Sequence, residues 1–365
     1  MTDAIRHLYL HVPFCSRICP YCAFYVHRGG VGEQRAFVRA LIAEAALARR
    51  SFAFDLETVF LGGGTPSLLP ADEWGTLMAA LPPRRVGAEV TLETNPITVT
   101  AEKAAAWREA GINRISLGVQ SFDPGFLKVL GRDHTPEIVE RSVALLRGAG
   151  FENLNIDLMF ALPGEATGGF AATLRHALAL RPDHISAYAL TYEEDTPFFE
   201  RLNRGEWLRD EAAEIEMFEG TARELDAAGL PFYEVSNYAR PGFESRHNRA
   251  YWRGADYLGL GPSACSTVGT ERWTNVKDTA RHAAEVEAGR LPIGEREALS
   301  PETRRKERIM FGLRTREGIE KELLLSHDAA VAEATRDGLA EWREDHLVLT
   351  RQGRLLADSV AALFV

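Results

Sequence analysis

Between residues 8 and 190, short apolar runs alternate with stretches whose apolar positions recur every three or four residues. The runs at 8–12, 58–61, 89–93, 114–117, 153–158 and 184–190 have the length and composition of buried strands. The stretches at 33–50, 71–80, 101–110, 136–148 and 170–180 carry the helical period. Strands alternating with helices predict an α/β fold with a parallel sheet and right-handed crossovers. The pattern alone fits an open doubly wound sheet as well as a barrel. Local punctuation supports the division: Thr100 and Thr135-Pro136 are suited to open helices, and Gly111 and Gly150 to close them.

Beyond about residue 195 the pattern changes. Residues 206–228 read as one long amphipathic helix with Ile215, Phe218 and Leu225 on one side. An aromatic-rich stretch follows at 232–252, then a glycine-rich loop at 259–263. The tail, 302–365, alternates helices with a short strand pair around Leu347, Val348 and Leu349. These shifts divide the chain into 1–195, 196–295 and a mostly helical 296–365.

Composition narrows the class. The chain has 365 residues, and 42 basic against 52 acidic side chains leave a net charge of −10. That balance argues against a general nucleic-acid binder, including a tail of winged-helix shape on DNA. No apolar run reaches membrane-spanning length, and residues 1–7 lack the apolar core of a signal peptide. Four cysteines in a long chain argue against a disulfide framework and for a reducing, cytoplasmic setting. Peripheral membrane contact is left open.

Three of those cysteines, Cys15, Cys19 and Cys22, fall within eight residues just past the first strand. Three thiolates at a strand end can hold a metal or an iron–sulfur cluster, and a [4Fe–4S] cluster held by three would keep one iron open. A zinc ion held with His27 or His11 is an alternative on spacing alone. Gly62-Gly63-Gly64-Thr65-Pro66 follows the second strand, where glycines let backbone approach a ligand. Glu93 ends the third strand, Gln120 lies just past the fourth, Arg132 follows a helical stretch, and Asp157 sits in an apolar strand where it needs a partner.

The C-x3-C-x2-C loop followed by Gly62–Pro66 resembles the radical S-adenosylmethionine (SAM) superfamily. Over nearly the whole chain the pattern is similar to its coproporphyrinogen oxidase branch, and within that to the HemW-type heme chaperones. The resemblance implies a partial (β/α)6 barrel with a helical C-terminal domain like that of HemN. It implies a [4Fe–4S] cluster on Cys15, Cys19 and Cys22, and SAM contacts at Tyr9, Gly63, Gly64, Thr65, Glu93, Gln120, Arg132 and Asp157. Arg132 would suit the SAM carboxylate and Asp157 its ribose hydroxyls. The hexad His247-Asn248-Arg249-Ala250-Tyr251-Trp252 resembles the segment such chaperones use for heme, implying His247, Asn248, Tyr251 and Trp252 as porphyrin neighbours. On residue chemistry alone, His247 fits a packing role equally well. Heme-acceptor proteins are the implied partners, and homodimerisation is left open.

Three positions depart from the family's pattern. Phe24 stands where oxidases carry a fourth cysteine, which favours a chaperone. Cys265 stands where relatives usually carry a histidine, as either a small buried hydrophobe or a thiol facing the cavity; we expect the latter. Ala23 replaces an aspartate common among chaperones. The alternative enzyme is an oxygen-independent coproporphyrinogen III oxidase, which would convert propionates to vinyl groups. It is expected to carry an N-terminal element for which the 14 residues before Cys15 leave no room. A zinc-stabilised binding module would leave the glycine loop, Glu93, Gln120 and Asp157 unexplained.

Overall fold

The computed structural model describes residues 4–364; Met1 to Asp3, part of the N-terminal stretch read for a signal peptide, and Val365 lie outside them. Six parallel strands form the frame: β1 (Ile5–Val12), β2 (Phe54–Gly63), β3 (Arg84–Thr94), β4 (Arg114–Gln120), β5 (Asn153–Phe160) and β6 (His184–Ala189). They lie in sequence order across the sheet. The helices between them are α1 (Val31–Ser51), α2 (Trp74–Ala80), α3 (Ala101–Glu109), α4 (Pro124–Val129), α5 (Pro136–Gly148) and α6 (Thr167–Ala179). A six-residue α4 is too short for periodicity to reveal, but Asp123-Pro124 marks its start. The Asp123 carboxylate accepts from the N–H groups of Gly125 and Phe126 at 2.7 and 3.0 Å.

Strand alternation sets the two faces of the sheet. In β1, Leu8, Leu10 and Val12 are fully buried, as are Val59 and Leu61 beside them in β2. The opposite face carries His7, Tyr9 and His11, with Thr58 and Phe60 paired to the first two. β2 starts earlier than its apolar run because its first turn of alternation is polar outward: Asp55 and Glu57 both pair with Arg85 at the start of β3.

After β6 come α7 (Pro197–Asn203), α8 (Glu211–Ala227), the short strands β7 (Phe232–Glu234) and β8 (Asn237–Ala239), α9 (Arg246–Trp252) and β9 (Leu258–Leu260). The long helix expected at 206–228 starts only at Glu211, because Asp210 caps it, accepting from the N–H of Ala213 at 3.0 Å. Its buried stripe is Met217, Thr221 and Leu225; Ile215, expected on that face, is 46% exposed. β8 pairs antiparallel with β6 and carries β7, while β9 pairs parallel with β1. The sheet therefore has nine strands with β7 and β9 at its edges. Side chains from both ends line one cavity: Glu234 and Asn237 from β7–β8, Tyr9 from β1, and Tyr257 just before β9. The sheet is curled into an open barrel, which resolves the ambiguity of the sequence pattern.

An antiparallel sheet follows, of β10 (Cys265–Val268), β11 (Glu271–Asn275) and β12 (Ile293–Ala298), with α10 (Thr279–Glu287) between the last two. The C-terminal part comprises α11 (Pro301–Gly312), β13 (Ile319–Glu320), α12 (Asp328–Arg336), β14 (Ala340–Arg343), β15 (His346–Leu349), α13 (Arg351–Leu355) and α14 (Ala357–Ala362). It is mostly helical, with a small three-stranded sheet, and its apolar side chains form a cluster of their own from Ile309 to Phe364. Among the described residues no helix is long and apolar enough to cross a membrane.

Candidate functional site

The loops at the C-terminal ends of the strands converge on a pocket of about 190 Å³. Cys15, Cys19 and Cys22 line it together with Gly63, Gly64, Thr65, Glu93, Gln120, Arg132 and Asp157. Residues separated by more than a hundred positions meet because most lie near or just past the end of a parallel strand or in the α4–α5 loop, where sites in such folds collect, while Asp157 reaches in from within β5.

The cysteine loop is anchored by backbone pairing. Cys15 N–H donates to His27 O at 3.0 Å and His27 N–H to Pro13 O at 2.8 Å, while Cys22 N–H reaches Cys19 O at 3.1 Å. The glycine loop lies directly against it: Gly64 N–H donates to Val12 O at 2.8 Å and Thr65 N–H to Phe14 O at 2.7 Å. A Cβ on Gly64 would sit 2.7 Å from Phe14 O, and one on Gly63, whose φ is 102°, would sit 2.6 Å from the His11 ring. Glycine is required there by contact distance.

The pocket joins groups of both signs. Burial raises the carboxyl of Glu93 to about 8, with the nearby Asp157 adding to the shift and the N–H of Gly63 at 3.2 Å opposing it. Asp157 is also raised by burial, against the stabilising bonds it accepts from Ser116 and Asn155. Arg132 donates to Gly118 O at 2.6 Å and lies 3.6 Å from Cys19 Sγ, while its buried Nε has no partner among the described residues. Gln120 holds a φ of 69°, and its side-chain oxygen accepts from the Tyr188 hydroxyl at 2.8 Å. Burial pushes the Cys15 thiol up to about 11.

Each of the two histidines that spacing offers as a fourth zinc ligand has other partners. His27 bonds Thr279 at 2.8 Å and Arg28 O at 2.9 Å; His11 bonds Tyr25 O at 2.8 Å and the Tyr9 hydroxyl at 3.2 Å. Among the described residues no group of three histidine, cysteine, aspartate or glutamate side chains closes tightly enough for a single metal ion.

A second cavity, of about 600 Å³, lies beside it in the lumen and is rich in aromatic side chains. His247, Asn248, Tyr251 and Trp252 from α9 line it, with Phe60, Tyr257 and Cys265. Tyr9, implied as a SAM contact, lies here rather than in the cysteine pocket; it stacks on Phe60 at 6.2 Å. Cys265 faces this cavity as expected. Phe24, 68% exposed, lines both cavities and forms their common wall. Glu234 is a buried carboxyl at the cavity's edge, pushed up to about 7 by burial.

His247 is held on three sides. Its backbone N–H donates to Glu89 at 3.1 Å, its ring packs on Phe60 at 5.2 Å, and its Nδ1 lies 2.8 Å from Thr58 Oγ1. Thr58 Oγ1 is also 2.9 Å from His7 Nδ1. Burial lowers His7 to about 4 and His247 to about 3, so both rings are neutral at pH 7. Sequence reading passed over His7, Thr58, Tyr188 and Glu234. For the first two the signal was present: polar residues on the lumen-facing positions of strands otherwise built of apolar ones.

Comparison with known proteins bears on this arrangement. The radical SAM superfamily model matches residues 9–177, and the HemN C-terminal domain model matches 299–356. A protein of Mycobacterium tuberculosis (strain CDC 1551 / Oshkosh) named heme chaperone HemW is 38% identical, covering 97% of this chain and 93% of its own length. The heme chaperone HemW of Bacillus subtilis (strain 168) is 33% identical, with 99% of each chain covered. The chain belongs to the HemW family.

The HemW assignment agrees with the fold. The solved structure of coproporphyrinogen III oxidase (HemN) from Escherichia coli, described as a radical SAM enzyme, superposes with a TM-score of 0.85 over 99% of this chain and 90% of its own, at 23% identity. That likeness establishes the radical SAM α/β fold, including the helical C-terminal part.

Proposed function

We propose that this chain is a heme chaperone that binds heme in the aromatic cavity, carries a [4Fe–4S] cluster and SAM in the adjoining cysteine pocket, and delivers heme to acceptor proteins in the cytoplasm. The observation that carries the proposal is the pair of neighbouring cavities of opposite chemistry with Phe24 as their shared wall. Its three units would be a SAM core at 1–195, a heme-proximal extension at 196–295 and a helical domain at 296–365.

The residues fit the groups proposed for them. Three thiols on one anchored loop supply a cluster's donors, and none of the three is committed to a disulfide. Arg132, with an unpartnered buried Nε, suits a carboxylate; Glu93 is a buried carboxyl short of positive charge and suits an ammonium; Asp157 suits hydroxyls. A bound cluster would supply the electron that cleaves SAM. In the lumen, aromatic faces on several sides exclude water from a flat apolar ligand, and His247 presents a ring nitrogen to it.

The test is anaerobic. Reconstituted protein is given SAM, reductant and coproporphyrinogen III, and separately titrated with hemin. Saturable hemin binding with no protoporphyrinogen formed is the expected result. Protoporphyrinogen at turnover levels would overturn the chaperone reading and make the chain an oxidase.

A further inference from the structure

We infer that Thr58 and His7 act as positioning residues, fixing the tautomer of His247 so that a bare Nε2 lone pair faces the aromatic cavity. The inference rests on the heme reading above and specifies how the ligand is prepared.

The geometry leaves few choices. Thr58 is fully buried, and its hydroxyl has one proton and two lone pairs to share between two imidazole Nδ1 atoms at 2.9 and 2.8 Å. If both rings donated, the hydroxyl proton would have no acceptor, at about 1–3 kcal/mol for a buried donor. If neither donated, one nitrogen lone pair would face an oxygen lone pair. The chain of bonds therefore runs in a single sense, with one Nδ1 protonated and the other bare.

The surroundings select the sense. His7 lines a separate cleft of about 570 Å³ at the other end of the relay, shared with Glu57 and Glu244 and with Arg6, Arg246, Arg249 and Arg253. Glu57 is the strongest charged influence on the His7 ring, outweighing Arg6 and Arg246 singly. A carboxylate there favours an N–H at His7 Nε2, which leaves Nδ1 bare to accept from Thr58. The Thr58 oxygen then accepts from His247 Nδ1–H. On the cavity side, His247 Nε2 makes no hydrogen bond to another protein group among the described residues, and a heme-iron ligand at Nε2 requires the ring proton to sit on Nδ1, where Thr58 accepts it. Arg114, whose positive charge acts on the His247 ring, also opposes further protonation.

The consequence is specific. A neutral imidazole with a bare Nε2 is the form that ligates iron, and a hydrogen bond from Nδ1–H both orients the ring and raises its basicity. His247 would be a preset ligand, held by a relay that also reaches the His7 cleft.

The experiment uses full-length protein and hemin. Affinity is read from the Soret band, and the iron–histidine stretch from resonance Raman of the ferrous complex. His247→Ala is expected to abolish the histidine-ligated spectrum. Thr58→Val is expected to weaken hemin binding by about 10- to 100-fold, the range for losing an outer partner of a metal ligand, and to lower the stretch frequency. Thr58→Ser is expected to restore both. Should Thr58→Val fail to fold by circular dichroism, His7→Phe, which removes the hydroxyl's acceptor, is expected to lower the stretch alone. Loss of the spectrum in His247→Ala with the stretch unchanged in Thr58→Val or His7→Phe would overturn the relay and leave the heme reading standing. An unchanged spectrum in His247→Ala would overturn both the relay and the assignment of His247 to heme.

Discussion

The cysteine pocket and the aromatic cavity share a wall but are built by different rules. The first is small, charged and assembled from loops at strand ends; each loop carries its chemistry in a contiguous motif. The second is about three times larger, richer in aromatic side chains, and assembled from the inward faces of strands, helix α9 and loop residues that include Ala23, Phe24 and Tyr25. Its residues are scattered from Tyr9 to Cys265. Strand-end loops can change chemistry without disturbing the sheet, whereas lumen positions must also pack. A polar residue in the lumen therefore comes with partners, as His247 does with Thr58 and His7.

This contrast implies that the two cavities fail separately when altered. The largest effect is expected from Cys19→Ala, which removes one of the three proposed cluster donors. After reconstitution the cluster's visible absorption should be lost while circular dichroism stays native; an intact cluster signal would show that Cys19 is not a donor. Next is Arg132→Leu. Losing a charge-assisted bond of about 2 kcal/mol should weaken SAM binding roughly 30-fold by calorimetry, with hemin binding unchanged. A matching loss for hemin would show that the cavities are one site.

Smaller effects belong to the aromatic side. Tyr251, whose ring lies 5.2 Å from Phe311 and 5.8 Å from Tyr257, contributes to the cavity's aromatic face. Tyr251→Ala should cost hemin binding about 1 kcal/mol and leave SAM binding alone. Glu234 tests the cavity edge through pH. Burial raises it to about 7, so its neutral form is favoured in the folded state. Its stabilising contribution is full below pH 4.5 and is lost as pH rises toward about 7. Glu234→Gln should remove that part of the decline in Tm across this window; an identical Tm profile would show that Glu234 does not titrate there.

Much of the frame was legible because the strands alternate buried apolar side chains with residues that face the lumen, as Leu154, Ile156 and Leu158 do with Asn155 and Asp157. The cysteine pocket was legible because its motifs are local: Cys15, Gly63, Glu93 and Gln120 each sit near or just beyond a strand end, and Asp157 is an acidic residue inside the apolar strand β5. The curl of the sheet was not legible in the pattern, because the outer strands β7 and β8 at one side and β9 at the other are three residues each and show no period. Tyr9 was implied as a SAM contact by the resemblance; strand alternation pairs it with Phe60 and places it on the lumen side of β1. Thr58 passed as an ordinary strand residue and His7 fell in the polar N-terminal stretch, since only the arrival of α9 from nearly two hundred positions away reveals what they hold.

The most direct measurement is a hemin titration of reconstituted wild type, Cys19→Ala and His247→Ala side by side. Two separable cavities require Cys19→Ala to bind hemin with wild-type affinity and spectrum, and His247→Ala to lose the histidine-ligated Soret band while keeping its cluster. Hemin binding lost with the cluster, or retained unchanged without His247, would contradict that division.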